Sequence, residues 1–324
     1  MHSFKPKGAK SKKSGFLLLK TLDLLSSYNN GVRRAKAGSR KTAETNSRKA
    51  GYMTEQDIIR ETAVPLTAES LAHDLRHLGV QPGMTVLVHS SLRKMGWVCG
   101  GAVAVVQALM TVVTEQGTLV MPTHTSNYSD PAVWQDPPVP QPWWQMIYEA
   151  MPAFNPQVTP SYLMGAIAET FRSSPGVYRS DHPQVSFAAW GRHAQEITAQ
   201  HTLEYGLGEG SPLARIYDLD GQVLLLGVSY DRNTSFHLAE YRSPGMVQTM
   251  LGAPIIENGQ RVWKKFRDIE IDADVFPALG GEMEQANLIN NGKVGLADCC
   301  LFSQRQAVDF AVQWYRRQRN GNEP

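Results

Sequence analysis

One histidine of this chain stands where it can act as a base. The segment Arg179–Gly191 places His182 between Asp181 and Pro183, directly before a short apolar run. A histidine held by a proline turn at the mouth of a strand can serve as a general base near neutral pH, because its ordinary pKa lies close to that range. The alternative is a histidine with a structural role beside a turn, and this segment alone leaves both interpretations open.

A carboxylate with a matching role follows in a glycine-rich turn. Glu209 lies in the run Gly206–Leu213, which reads GLGEGSPL. A carboxylate on the second ring nitrogen of a catalytic histidine fixes its tautomer and stabilises the imidazolium. We therefore predict that Glu209 orients His182. Two alternatives stay open: Glu209 binds ammonium groups of a substrate, or it is a structural carboxylate at the start of the next helix.

A group of polar residues follows the apolar run Val223–Val228. The spacing of three between His237 and Glu240 puts both on one face of a helix. Because ligands of α/β sheets bind beyond the carboxyl ends of strands, this segment is predicted to contact the substrate. The alternative is a surface pair in which each residue satisfies only the other. The predicted substrate-binding residues are Asp231, Asn233, His237 and Glu240.

An anion site is predicted further upstream. Ser90 and Ser91 follow a strand-like run and precede a glycine-rich turn, and Gly100 and Gly101 open a helical run. The free N–H groups and the dipole at a helix N-terminus favour phosphate groups. The segment contains neither a GK[ST] nor a GxGxxG pattern, so the residues by themselves give only a weak signal for a nucleotide-like ligand.

These segments, in this order, resemble the aminoglycoside 3-N-acetyltransferase family, also called the antibiotic N-acetyltransferases. The resemblance implies direct acetyl transfer from acetyl-CoA to an amine, the 3-amino group of a 2-deoxystreptamine aminoglycoside, with His182 and Glu209 in the roles given above. It runs from about Thr54 to about Arg316. The motifs that carry it are Val86–Leu92 with Gly96, Trp97, Gly100 and Gly101, then Arg179–Gly191, Gly206–Leu213, Val223–Val228 and Asp231–Tyr241.

The resemblance also assigns the cofactor site. The family places coenzyme A along the first strand, its loop and the following helix, which strengthens the prediction of an anion site there. Ser211 is interpreted equally as a donor to the thioester oxygen or as the N-cap of the next helix. The predicted cofactor-binding residues are Ser90, Ser91, Gly100, Gly101, Val103, Thr123, Ser161 and Met164.

Other functions stay open beside this one. The loop Ser126–Trp144 carries four Trp and Tyr residues and few acids, which favours a CoA-dependent N-acyltransferase with a smaller amine as acceptor. A hydrolase that uses Ser90 or Ser91 is disfavoured because neither serine lies in a GxSxG turn. A non-catalytic coenzyme A binder is disfavoured by the presence of both the histidine and the glutamate of the site.

The composition of the chain indicates the size of its core and how its charge is distributed. The chain has 324 residues, 42% of them hydrophobic, which is ample for a large core. Residues 1–50 carry 13 Lys and Arg against two Asp and Glu, whereas the rest carries 19 against 28. We interpret residues 1–52 as a disordered basic leader or as the result of a misplaced start before Met53, and residues 53–324 as the catalytic domain. An acidic body suits a polycationic substrate.

Three cysteines without CxxC spacing indicate a reducing, cytoplasmic location and no structural disulfide. No apolar run is long enough to span a membrane. We expect a small-molecule amine as the partner, no metal, and no nucleic acid bound by the catalytic domain. A homodimer is left open.

Helical and strand-like patterns alternate along the body, and they predict an α/β fold: a central mixed sheet flanked by helices, with an antiparallel hairpin addition. Thr67 is the expected N-cap of a helix that ends at Gly79, and Asn258-Gly259 is the expected hairpin turn. The proline-rich loop 130–142 is expected to be anchored by Trp143 and Trp144. Strands are predicted at 85–89, 118–121, 186–190 and 222–228, and helices at 101–113, 162–171, 233–241 and 304–317.

Overall fold

The computed structural model describes residues 54–320, which contain ten α-helices and nine β-strands. The predicted leader, residues 1–52, lies outside this range. The helices are α1 (Glu55–Glu61), α2 (Ala68–Leu78), α3 (Gly101–Val113), α4 (Trp144–Ala150), α5 (Gly165–Arg172), α6 (Ala194–Thr198), α7 (Pro212–Asp218), α8 (Ser235–Tyr241), α9 (Phe276–Gln285) and α10 (Gln304–Asn320). The strands are β1 (Thr85–Ser90), β2 (Thr118–Pro122), β3 (Tyr178–Arg179), β4 (Phe187–Gly191), β5 (Gln222–Leu226), β6 (Gln248–Glu257), β7 (Gln260–Ile269), β8 (Asn290–Val294) and β9 (Ala297–Ser303).

Seven strands form a mixed sheet in the order β3-β4-β2-β1-β5-β9-β8. The central strand β1 is parallel to both β2 and β5, whereas β4 and β9 run antiparallel to their neighbours. Helices α2, α3 and α5 pack on one face with Val86 and Val88, and helices α6 to α10 pack on the other with Leu87. The predicted α/β class and mixed sheet are confirmed.

Helix α2 shows how the sequence sets its own boundaries. The Thr67 side chain accepts from the N–H of Ser70, and the Ser70 side chain accepts in return from the N–H of Thr67, so both helix-start donors are satisfied. Gly79 ends the helix in the left-handed region with φ 107°. Both predicted ends are confirmed, and the spacing of Leu71, Leu75 and Leu78 buries one face.

The hairpin is confirmed and stands apart from the main sheet. Asn258 and Gly259 have φ values of 52° and 78°, the two left-handed conformations that a tight hairpin turn requires. Strands β6 and β7 pair only with each other among residues 54–320, so they form a second, two-stranded sheet. Gln184 ties this sheet to the core, because its Nε2 donates to the carbonyl of Gly252 at 3.0 Å.

Two predictions about the intervening loop are wrong. The helix expected from residue 162 begins only at Gly165, since Leu163 before it has a φ of 62°, outside the helical range. Trp143 does not anchor the loop: it is 59% exposed, whereas its neighbour Trp144 is half-buried. Within residues 54–320 no helix is both long and apolar enough to cross a membrane.

Candidate active site

The carboxyl ends of three parallel strands meet at one edge of the sheet. Strand β1 lies between β2 and β5, so the connections that leave β2 and β5 depart on opposite sides of it. Such a point of divergence leaves a crevice beyond the strand ends, which is where open α/β sheets bind their ligands. The segments that begin there are Ser90–Ser91, Thr123–His124 and Gly227–Asn233.

A buried carboxylate–imidazole pair lies on α8, which follows β5. His237 Nδ1 is 2.5 Å from Glu240 Oε2, and the Glu240 side chain is only 1% exposed. The other oxygen of Glu240 accepts from the N–H of Asp272 at 2.8 Å. Because Nδ1 faces a carboxylate, it carries the ring proton and leaves Nε2 as the acceptor. Nε2 has no partner within residues 54–320 and reaches the molecular surface. His237 and Glu240 therefore lie on one face of α8, as predicted, and the carboxylate of Glu240 is buried.

His182 is enclosed and fully hydrogen-bonded. It is 1% exposed, and its Nδ1 accepts from the N–H groups of Gln184 and Val185 at 3.1 and 3.0 Å. Its Nε2 donates to the carbonyl of Leu203 at 3.2 Å. Burial is the main cause that holds the pKa of His182 well below its usual range, and the neighbouring His201 lowers this pKa further. Both ring nitrogens are therefore occupied by the backbone in a neutral imidazole.

The expected contact between Glu209 and His182 is not formed, which corrects the predicted orienting role. The Glu209 carboxylate instead receives two hydrogen bonds from Arg242, at 2.7 and 3.0 Å. These bonds lower the pKa of the Glu209 carboxyl, whose side chain is 66% exposed. The physical reason is that a guanidinium offers a carboxylate two parallel charged donors, while His182 has already satisfied its ring with backbone groups.

Ser211 is the N-cap of α7. Its Oγ accepts from the N–H of Leu213 at 3.2 Å, and the residue is completely buried. Of its two interpretations, the structure supports the cap.

Three further histidines, His89, His124 and His201, belong to this part of the molecule, and none of them is among the predicted site residues. His201 stacks on His182 with ring centroids 4.7 Å apart, and its Nε2 lies 2.6 Å from the carbonyl of Gly206. Burial is the main cause that lowers the pKa of His201 to about 4. His201 therefore joins the wall that holds His182 to the glycine-rich turn.

Burial lowers the pKa values of His89 and His124 as well. Burial lowers the pKa of each to about 3, and each histidine further lowers the pKa of its neighbours. His89 lies within 3.4 Å of Thr234 Oγ1, whereas Nε2 of His124 is buried with no partner among residues 54–320. A signal existed in the sequence: both histidines stand at or just beyond the carboxyl end of a predicted strand.

The predicted cofactor residues divide into two groups. Gly100 precedes α3 with φ 85° and offers no side-chain cap to this 13-residue helix. The N–H of Gly101 donates to the carbonyl of Val98 at 3.0 Å, so the N–H groups of Ala102 and Val103 are the ones left for an anion. Val103 in its first turn is 53% exposed, and Ser90 and Ser91 are half-buried where β1 ends.

Thr123, in contrast, does not face a ligand. It is completely buried, and its Oγ1 accepts from Arg179 Nε at 3.1 Å and lies within 3.2 Å of the carbonyl of Ser186. In this structure its hydroxyl makes structural contacts, and the expected cofactor contact stays a prediction. Ser161 donates to Glu169 Oε2 at 2.6 Å, and Met164 is half-buried just before α5.

Two of the predicted substrate residues have internal partners. Asp231 pairs with Arg232 at 3.0 Å in the turn that follows β5. Asn233 is completely buried, and its Oδ1 accepts from the N–H of Ser235 at 3.2 Å. This bond makes Asn233 a support for the start of α8, while its Nδ2 is buried with no partner among residues 54–320.

A cavity of about 780 Å³ opens beside the glycine-rich turn. Glu204 and Glu209 both line it, and each is paired with an arginine, Arg267 and Arg242 respectively. Its wall combines these carboxylates with aromatic and amide groups, among them Tyr205, Tyr241, Ser243 and Gln248. The sequence did not predict this cavity, because its lining comes from four separate segments.

The fold and the site together define an α/β protein with a buried carboxylate–imidazole pair and a polar cavity near the carboxyl ends of its parallel strands. No group of three or more potential metal ligands occurs within residues 54–320. The profile of aminoglycoside 3-N-acetyltransferases matches residues 87–316. The chain belongs to that family, which is a family of acyltransferases.

Individual relatives agree with this assignment. The SPbeta prophage-derived aminoglycoside N(3')-acetyltransferase-like protein YokD of Bacillus subtilis is 52% identical over 80% of this chain and 95% of its own length. The crystal structure of YokD superposes with a TM-score of 0.82 at 50% identity, covering 83% of this chain and all of that one. AAC-IIIb in its binary complex with CoASH gives a TM-score of 0.71 at 29% identity, over 79% and 98% of the two chains. AAC-VIa bound to sisomicin gives 0.71 at 28% identity, over 79% and 99%.

Proposed function

We propose that this protein transfers an acetyl group from acetyl-CoA to the 3-amino group of a 2-deoxystreptamine aminoglycoside. Membership of the family supports the reaction, and the CoASH and sisomicin complexes of its relatives support the two substrate classes. The free thiols of Cys99, Cys299 and Cys300 are consistent with a cytoplasmic enzyme.

The observation that carries the mechanism is the pair formed by His237 and Glu240. The amine attacks the thioester carbonyl, and His237 Nε2 takes the proton that the nitrogen loses. The buried carboxylate of Glu240 stabilises the resulting imidazolium through the Nδ1–H bond. When the carbon–sulfur bond breaks, the coenzyme A thiolate leaves and receives the proton. His182 supports the fold of the site, because its ring nitrogens are both engaged.

The cofactor is placed at the start of α3. The N–H groups of Ala102 and Val103 in the first turn would hold the negatively charged phosphates, and Ser90 and Ser91 lie at the end of the neighbouring strand. The exposed side chain of Val103 offers an apolar contact beside them. Of the eight residues expected from the resemblance, Ser90, Ser91, Gly100 and Val103 retain the binding role in our proposal.

The acceptor is placed in the cavity beside the glycine-rich turn. Its volume of about 780 Å³ suits a drug-sized ligand. Ammonium groups of the antibiotic would replace Arg242 on Glu209 and Arg267 on Glu204, since both carboxylates already bind cations. Tyr241 lines the cavity and lies one turn of α8 beyond His237.

Two variants separate the assigned base from the alternative. His237→Gln should lower kcat by a factor of about 100 or more and leave acetyl-CoA binding unchanged, because only proton transfer is lost. His182→Gln is the comparison, and it should lower the melting temperature more than kcat. A folded, inactive H182Q protein beside an active H237Q protein would return the role of base to His182.

A second acceptor class is favoured by one observation. The loop 126–144 contains an exposed Trp143 and few acids, which suits a less highly charged amine. Release of the coenzyme A thiol should be measured with aminoglycosides, with simple amines and with an aminoglycoside whose 3-amine is blocked. Turnover that is lost on blocking supports the antibiotic as acceptor, and turnover with simple amines alone supports the second class.

A further inference from the structure

Two exposed histidines converge on the outer face of α2. The inner face of this helix carries Leu71, Leu75 and Leu78 into the core, and His73 and His77 point the other way. Their Nε2 atoms are 2.9 Å apart, and the ring centroids are separated by 4.2 Å. The rings are nearly perpendicular, at 80°. The spacing of four residues produces this approach, since it stacks side chains on successive turns.

The separation of the two nitrogens fits a shared metal ion. Two ligands at about 2.1 Å from one ion and at right angles to each other lie about 3.0 Å apart. In the absence of an ion the two nitrogens share one proton in a hydrogen bond, so one ring is the Nε2–H tautomer. Moving that proton to Nδ1 of the same ring frees both lone pairs and releases no proton. The separation of the two nitrogens is thus close to that in a chelate before any ion is bound.

We propose that His73 and His77 form a binding site for a late first-row divalent cation, with water in the other coordination positions. Neutral imidazole pairs favour these ions over Mg²⁺ and Ca²⁺, and the general order of affinity places Cu²⁺ above Ni²⁺ and Zn²⁺. Because no third protein ligand completes the group within residues 54–320, the site exchanges its ion more readily than a closed structural centre does.

The site acts on the stability of α2 and is separate from acetyl transfer. Helix α2 contributes no residue to the acceptor cavity or to the carboxylate–imidazole pair described above. An ion that bridges two successive helical turns binds the folded helix better than the unfolded chain, so it stabilises the protein. Helix α2 also holds the sheet edge, since the carbonyl of Leu78 accepts from Asn290 and Asp74 accepts from the N–H of Gly295.

The test is a titration of the untagged full chain with Cu²⁺, read by electron paramagnetic resonance and by thermal melting. His2 beside the N-terminal amine is an independent copper ligand in the sequence, so every sample carries His2→Gln. We expect one equivalent of Cu²⁺ with two equatorial nitrogens and a higher melting temperature. His73→Gln and His77→Gln should each weaken binding at least tenfold, about the smallest loss seen even for outer-shell partners of a metal.

His193→Gln is the matched control, because His193 also lies on the surface but pairs with Glu196 and not with another histidine. It should bind Cu²⁺ like the parent. Equal affinity in H73Q, H77Q and the parent would overturn the proposal, as would the absence of binding by the parent. The acetylation rate should be the same in all variants, so failure of this proposal leaves the proposed reaction intact.

Discussion

At the scale of single residues, Glu209 is the position where two interpretations give different kinetics. Its carboxylate faces the acceptor cavity and is held by Arg242. Glu209→Gln removes the charge that would bind an acceptor ammonium group. We expect the KM for the aminoglycoside to rise about tenfold with kcat unchanged, since an interaction made equally in the ground and transition states is lost.

The control for this prediction is Glu257→Gln, which breaks a comparable surface pair with Lys264 at the hairpin turn. Both variants should melt within a degree or two of the parent, because exposed ion pairs contribute about 0–1 kcal/mol. A lower kcat with an unchanged KM in E209Q would show that Glu209 acts on the base, as the sequence alone suggests.

The residue types of the site were predictable, and their pairing was only partly so. The spacing of three residues placed His237 and Glu240 on one helix face, because helix geometry is local. The partner of Glu209 is Arg242, which is 33 residues away in sequence. His124 and His201 approach the site only through tertiary packing. Local sequence patterns indicate contacts within one element, whereas the contacts of Glu209, His124 and His201 join different elements.

At the scale of elements, the glycine-rich turn packs closely against His182, and Gly206 lies at the point of contact. A Cβ added at Gly206 would lie 2.6 Å from Nε2 of His182 and 2.7 Å from Cγ2 of Val185. Both neighbours are held in place, since His182 is bonded to the backbone on both ring nitrogens. Gly206→Ala should therefore destabilise the fold by about 1–3 kcal/mol, the usual cost of overpacking.

Gly281 provides the opposite case on helix α9. An added Cβ there meets nothing within 4 Å, and the backbone is helical. Gly281→Ala should raise the free energy of unfolding by about 0.5–1 kcal/mol through helix propensity. Urea unfolding of both variants measures the two effects together. Equal stability of G206A and the parent would show that the turn can move away from His182.

Elements with strong local signals were predicted well, whereas the neighbouring strands β8 and β9 were not predicted. Capping residues and apolar spacing defined α2, and Asn258-Gly259 defined the hairpin. Strand β8 reads NNGKV and lies at the sheet edge with most of its side chains exposed. It lacks the alternation of apolar residues that marks a half-buried strand. Its place is set by pairing with β9, a contact that no single segment encodes.

At the scale of the whole molecule, helices on both faces of the sheet enclose a set of neutral histidines near its carboxyl edge. Burial lowers the pKa values of His89 and His124 to about 3 and that of His201 to about 4, against an ordinary value of 6.5. The pKa of His182 is lowered in the same direction. Between about pH 3 and pH 6.5 the unfolded chain therefore binds more protons than the folded one.

The sign of the pH dependence follows from this difference. The stability contributed by these histidines is complete above pH 6.5 and is lost as the pH falls toward 3, since protonation then favours the unfolded chain. Urea unfolding between pH 8 and pH 4 should show a steep decline below 6.5. His124→Gln removes one such group and should flatten the decline. An unchanged slope in H124Q would mean that the enclosed ring of His124 does not resist protonation.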